Sequence, residues 1–185
     1  MTFKARIAGV FYLLTILTGM YGALVNNRMY SDAANLIAMA CYVVVTVLFY
    51  KIFAPVSRNL SLLAALFSLA GCALGALDAL HLNPTQFNNF VLFGMYCLII
   101  GYLIVRSTFL PPFLGILMAL AGLGWLTVLS PQLAKHLSHY TMVTGLVGEG
   151  SLTLWLLLVG INETRWNEQA SVTVKPGGSS GLASL

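Results

Sequence analysis

The stretch of the chain that decides the fold class is YTMVTGLVGEGSLTLWLLLVGI, residues 140–161. Its length matches the roughly 20 apolar residues that a helix needs to cross the hydrocarbon core of a bilayer. Its one charged residue is Glu149. Because an ionisable group at this depth is costly, we expect Glu149 to face the interior of a helical bundle and to serve a function there.

The composition of the whole chain indicates that this stretch is one of several spans. Of the 185 residues, 59% are hydrophobic and 8% are charged, which cannot provide the polar surface of a water-soluble globule. The continuous apolar runs favour helices over the alternating strands of a membrane barrel. With residues 140–161, the runs at 7–25, 33–54, 60–81, 90–105 and 113–129 predict an all-α, polytopic membrane bundle of six transmembrane helices.

Two segments need separate interpretation. The first run, residues 7–25, is longer than the apolar region of a secretory signal and lacks a clear A-x-A cleavage site, so we predict that it remains as the first helix. The six-helix domain is expected to cover residues 1–166. Residues 167–185 become polar and then rich in Gly and Ser, which predicts a flexible cytoplasmic tail.

The basic residues predict the orientation, because cytoplasmic loops of membrane proteins retain Lys and Arg. With the N-terminus inside, only Arg28 and Lys135 fall outside. The basic residues that fall inside are Lys4, Arg6, Lys51, Arg58, Arg106, Arg165 and Lys175. Six spans then place both termini in the cytoplasm. Topology explains the net charge of +4, so we expect the lipid bilayer, and no nucleic acid, as a partner.

Further polar residues gather at the predicted outer face. Asp78 and His81 are three residues apart at the end of the third run, so their side chains are expected to meet and could hold a proton or share a metal. His136 and His139 lie in the connection between the fifth and sixth runs. An alternative site is therefore zinc bound by His81, His136 and His139, although no spacing matches a zinc-hydrolase motif. No other cofactor is predicted.

Small residues mark two helix faces. Gly71, Gly75 and Ala79 recur at every fourth position, the pattern that lets membrane helices approach closely, within one chain or in a homo-oligomer. Gly145 and Gly148 likewise leave room for a neighbouring backbone beside Glu149. At 1.5 Å per residue, Glu149 lies about 13 Å below the outer boundary.

These patterns leave three hypotheses open. In the first, a polar pocket around Glu149, with Asp78 and His81, binds or transports a proton, a lipid or a small molecule. In the second, the outer histidines hold a metal in an intramembrane enzyme. In the third, the protein is structural or binds a partner, and Glu149 only fixes helix register.

Several motifs together resemble one known family. They are ARIAGVFYLL at residues 5–14, PVSRNLSLLA at 55–64, GYLIVRSTFLP at 101–111, and Gly148-Glu149 followed by LWLL at 154–157. They are similar to the bacterial membrane family catalogued as domain of unknown function 4386, with the resemblance extending nearly to Gly160.

The resemblance implies a six-helix protein of the bacterial inner membrane without an assigned activity. Arg6, Arg58, Arg106 and Glu149 match polar positions of that family. The outer-face residues Asp78, His81, His136 and His139 match no family pattern, so the resemblance implies no role for them.

Overall fold

A computed structural model describes residues 1–83 and 88–174, except for the side chains of Pro131, Ser138, His139, Thr173 and Val174. Over these residues the secondary structure is helical, without strands. The helices are α1 Thr2–Leu24, α2 Arg28–Phe53, α3 Arg58–Ala79, α4 Phe90–Arg106, α5 Pro112–Leu126, α6 Pro131–Leu158 and α7 Glu163–Val174, with a 3₁₀ turn at Thr127–Leu129 after α5. The predicted all-α fold is confirmed.

The helices have the lengths that membrane spans require. Five apolar segments are long enough to cross a bilayer: α1, α2, α3, α5 with its 3₁₀ turn, and Tyr140–Leu158 of α6. The remaining apolar helix, α4, has 17 residues, the lower limit for a span. The chain is therefore an integral membrane protein built as a helical bundle.

The bundle is a closed ring. Each of α1 to α5 packs against the next helix along the chain, and α6 packs against both α5 and α1. The short connections between the spans explain why consecutive helices are antiparallel neighbours. Contact between α6 and α1 brings the first and the last membrane-spanning helix together, which allows side chains far apart in the chain to meet in the centre of the ring.

The two ends of the ring differ in charge. We call "the basic end" the end at which α1 begins and α2 ends, because it carries the larger group of cations. These are Lys4, Arg6, Lys51, Arg58, Arg106 and Arg165. At the other end, which we call "the opposite end", the basic residues are Arg28 and Lys135. Lys175 lies outside the described residues.

The start of α6 requires a correction. Residues 131–139, predicted as a connection, form the first turns of α6, which begins at Pro131. Proline is favoured in the first turn of a helix because its fixed φ angle suits the helix and its missing N–H would have no partner there. His136 and His139 therefore lie on a helix, not in a loop.

The predicted tail requires a second correction. Residues 167–174 are the last part of α7, so the helical structure continues past Trp166, while residues 175–185 lie outside the described residues. Helix α7 is held against the basic end, since the Trp166 indole N–H donates to the Ile52 carbonyl oxygen at 2.8 Å. This carbonyl is in the last turn of α2, where no following helical N–H is available to it. Specific docking thus stabilises a segment whose composition is polar.

We expect Trp166→Phe to lower the free energy of unfolding by about 1 kcal/mol, the usual net contribution of one hydrogen bond. Phenylalanine keeps an aromatic ring in the site but has no N–H to offer Ile52. The measurement is a denaturant titration of the purified protein in detergent. Trp155→Phe is the control, because Trp155 packs edge-on against Phe113. An equal loss in both variants would mean that ring size, not the hydrogen bond, is responsible.

Candidate functional site

Glu149 lies near the middle of the bundle. It is nine residues before the end of α6, which places it about 14 Å from the basic end of that helix. A Cβ atom added at Gly148 would lie 2.5 Å from the Leu117 carbonyl oxygen of α5. Only glycine permits α6 to come this close to α5, and this approach sets where the neighbouring Glu149 side chain can reach.

The Glu149 carboxylate receives hydrogen bonds from two other helices and approaches a third. The Tyr12 hydroxyl of α1 donates to Oε2 at 3.0 Å, and the Trp125 indole N–H of α5 donates to Oε1 at 2.8 Å. The Cys97 Sγ of α4 lies 3.9 Å from Oε1. One side chain of α6 therefore links α1, α4 and α5 at the centre of the ring.

Three tyrosines extend this polar centre towards α2 and α4. The hydroxyls of Tyr12 and Tyr42 are 3.5 Å apart, and the rings of Tyr42 and Tyr96 pack edge to face at 5.7 Å. Tyr96 directly precedes Cys97, the α4 residue whose Sγ approaches Glu149. Its hydroxyl is buried and has no hydrogen-bond partner among the described residues. A buried unpaired hydroxyl is costly, so it marks the place where a further polar group would be accommodated.

Trp125 is fixed by its neighbours as well as by Glu149. Its ring stacks on Phe90 with a centroid distance of 4.8 Å. A Cβ atom at Gly145 would lie 2.7 Å from the Trp125 ring, so the indole occupies the space that this glycine leaves. The sequence showed this space beside Glu149, but it did not show that a tryptophan fills it.

The polar centre holds an acidic group, Glu149, without a cationic partner among the described residues. Among the described residues, Glu163 forms an ion pair with the Met1 amino group and Asp32 contacts the His81 ring, and neither contact involves Glu149. A carboxylate in a membrane-spanning helix needs a counter-charge or a proton to offset its lost hydration. The surrounding phenols, thiol and indole supply hydrogen bonds but no positive charge.

Two comparisons with known proteins give a match, and one of them includes the segment that carries this carboxylate. The family model described as domain of unknown function (DUF4386) matches residues 86–160. This match confirms the predicted resemblance to DUF4386 over residues 86–160, and the motifs at residues 5–14 and 55–64 lie outside it. An uncharacterised protein of Archaeoglobus fulgidus is 29% identical over 141 residues, which cover 71% of this chain and 84% of that protein. No solved structure gives a significant match.

The DUF4386 match includes only part of the polar centre. Helices α4, α5 and α6, with Cys97, Trp125 and Glu149, fall within residues 86–160. Tyr12 and Tyr42 belong to α1 and α2, which precede the matched segment. The matched helices therefore supply the carboxylate, its indole donor and the Tyr96 phenol, and the helices before them supply the Tyr12 and Tyr42 phenols.

Asp78 and His81 occupy a different place, and their predicted side-chain contact is not found. Asp78 accepts a hydrogen bond from the Asn83 amide at 2.6 Å, whereas the His81 ring lies 3.0 Å from the Asp32 carboxylate and 3.2 Å from Arg28 Nε. The reason is that α3 ends at Ala79 and His81 has a left-handed φ of 56°. The three-residue spacing of a helix no longer applies there. Arg28, Asp32 and His81 line an open groove of about 620 Å³ at the opposite end, and neither Asp78 nor Glu149 is part of its lining.

The predicted zinc ligands are not gathered into a site within the described part of the molecule. His81 pairs with Asp32, and His136 is exposed in the first turns of α6. The side chain of His139 lies outside the described residues. No cluster of three or more His, Cys, Asp or Glu side chains suited to a metal occurs among those that are described.

The small residues of α3 pack inside the ring. A Cβ atom at Gly71 would lie 3.2 Å from the Phe93 ring of α4, and one at Gly75 would lie 2.8 Å from Met39 Sδ of α2. Ala79 is buried as well. This face therefore lies against neighbouring helices of the same chain and is not available to a second copy.

A closer glycine contact, not identified in the sequence, joins α4 to α5. A Cβ atom at Gly115 would lie 2.5 Å from the Gly101 carbonyl oxygen, and one at Gly122 would lie 2.8 Å from that of Gly94. Both pairs repeat after seven residues, two helical turns, so the glycines of each helix lie on one face. This seven-residue spacing of glycines is the feature of the sequence from which the close contact of α4 with α5 could have been predicted.

Proposed function

We propose that this integral membrane protein is a proton-binding module in which Glu149 takes up and releases a proton near the middle of the bilayer. The observation that carries the proposal is a carboxylate within a membrane-spanning helix that has no cationic partner among the described residues. A proton can neutralise it without the space that a larger ligand needs.

The hydrogen-bond network fits both protonation states. When ionised, the carboxylate accepts from Tyr12 and Trp125. When protonated, its O–H can donate to the Tyr12 oxygen, and the Tyr12 hydroxyl can turn towards Tyr42, which is 3.5 Å away. Because a phenol is both donor and acceptor, the exchange leaves neither state without partners. The unpaired Tyr96 hydroxyl offers a further position for a bound polar group.

A proton site of this kind suits the coupling of a proton to the movement or binding of a lipid or other small molecule. Such ionisable residues in membrane helices occur in proton relays and substrate pathways. The excess of cations at the basic end supports an orientation with that end, and both termini, in the cytoplasm. We place the protein in the bacterial inner membrane, as the family resemblance implies.

The direct test is infrared difference spectroscopy of the purified protein in lipid vesicles as a function of pH. We expect a C=O stretching band of a buried protonated carboxyl group whose intensity falls as the pH rises, and we expect Glu149→Gln to remove it. Glu168→Gln is the matched control, because Glu168 is exposed on α7 and its loss should leave the band unchanged. A wild-type spectrum with no pH-sensitive band of this kind would exclude the proton-binding function.

A further inference from the structure

The side of Glu149 that faces the basic end is filled by aromatic rings. The rings of Phe109, Phe53, Phe49 and Tyr12 follow one another with centroid distances of 6.0, 5.7 and 5.8 Å. Each is at most 4% exposed. Because Tyr12 donates to Glu149, this aromatic column extends from the α4–α5 connection to the carboxylate itself.

Helix α7 covers the same end of the bundle. Trp166 bonds the end of α2, the Asn162 N–H donates to the Phe109 carbonyl oxygen at 3.3 Å, and the Gln169 side chain accepts from the Thr108 N–H at 3.1 Å. These contacts fasten the backbone on both sides of the outermost ring of the column. Water from the basic end therefore meets a docked helix and then four packed rings.

Among the residues that the structure describes, the other side of Glu149 has less cover and more polar groups. Trp125 is half-buried and stacks on Phe90, which is itself exposed. Beyond it, the hydroxyls of Thr127 and Thr141 lie 3.0 Å apart. Thr141 precedes Glu149 by eight residues, which places it about 12 Å nearer the opposite end along α6. One indole thus separates the carboxylate from hydroxyl groups near the membrane boundary.

We propose that Glu149 exchanges its proton with the opposite end only, past Trp125, while the aromatic column closes the route from the basic end. This inference rests on the proposed proton-binding function and adds the side of access. Of the described titratable groups, Tyr12 from α1 and Cys97 from α4 lie against Glu149, with Tyr42 from α2 next to Tyr12 and Tyr96 from α4 packed on Tyr42. Helix α5 contributes Trp125, which does not titrate. None of them brings a positive charge that would hold the carboxylate ionised.

The test uses the full-length protein in vesicles of a single orientation, with the pH changed on one side at a time. We expect the infrared carboxyl band of Glu149 to follow a pH jump on the opposite-end side, and to respond at least about tenfold more slowly to the same jump on the basic side. Equal rates from both sides, or faster exchange from the basic side, would overturn the one-sided access. A band that responds to neither side would instead overturn the proton-binding function.

A variant tests the role of the column. Phe49→Ala removes one of its rings, so the slow response from the basic side should approach the rate from the opposite-end side. Phe113→Ala is the control, because Phe113 is half exposed on the outer surface of α5 and lies outside the column. If Phe49→Ala fails to fold, the wild-type comparison of the two sides still decides the proposal. Unchanged rates in a folded Phe49→Ala protein would show that the column is not the barrier.

Discussion

Replacing Gly115 with leucine is expected to prevent stable folding. A Cβ atom at this position would lie 2.5 Å from the Gly101 carbonyl oxygen and 3.0 Å from the Val105 backbone nitrogen. Backbone atoms of a helix cannot move aside as a side chain end can, so α4 and α5 would have to separate along their whole contact. The cost should exceed the about 1–3 kcal/mol that is typical of overpacking a core.

The effect can be measured as the yield of monodisperse protein in detergent and, where protein is obtained, as the midpoint of denaturation. Gly115→Ala supplies a graded variant, since it adds only the clashing Cβ atom. Gly19→Ala is the matched control, because a Cβ atom on Gly19 of α1 has no other atom within 4 Å. If Gly115→Ala and Gly19→Ala behave alike, the backbones of α4 and α5 are farther apart than the structure indicates.

The fold could be predicted from the sequence because its main determinant is local. A run of about 20 apolar residues must become a helix in a bilayer, where every backbone N–H and C=O needs an internal partner. The helix ends were harder to predict. Residues 131–139 look like a connection by hydropathy, but a helix that emerges from the membrane can continue in polar sequence, as α6 does. Helix α7 likewise extends into polar sequence, and the hydrogen bond from Trp166 to Ile52 holds it against the bundle.

The candidate site could be predicted only in part, for a related reason. Glu149 stands out because it is a lone acid in an apolar run, and that contrast is visible in the sequence. Its partners are not, since Tyr12 and Trp125 meet it only through the contacts of α6 with α1 and α5. Tyrosine and tryptophan are common at membrane boundaries, so nothing in the sequence separated these two from interface anchors.

Replacing Glu149 with alanine is expected to be the most destabilising change in the polar centre. It removes the acceptor of the Tyr12 hydroxyl and of the Trp125 N–H, and each buried donor left without a partner costs about 1–3 kcal/mol. Glu149→Gln keeps a side-chain oxygen of similar reach, so it should lose less. Unfolding titrations in detergent measure both variants, and Glu168→Ala on exposed α7 should remain within about 0.5 kcal/mol of wild type.

A double-mutant cycle shows whether the loss comes from the stranded donor. Tyr12→Phe alone removes a donor from Glu149 and should be destabilising. In the Glu149→Ala background the Tyr12 hydroxyl has only the Tyr42 oxygen, 3.5 Å away, as an acceptor, so the same change should cost less there than in wild type, with a coupling of about 0.5–3 kcal/mol between the two sites. Additive losses would mean that the carboxylate is balanced by groups other than Tyr12. The cycle also bears on function, because a carboxylate that only cross-links helices would give this coupling without any pH-sensitive infrared band, whereas a proton-binding carboxylate must give both.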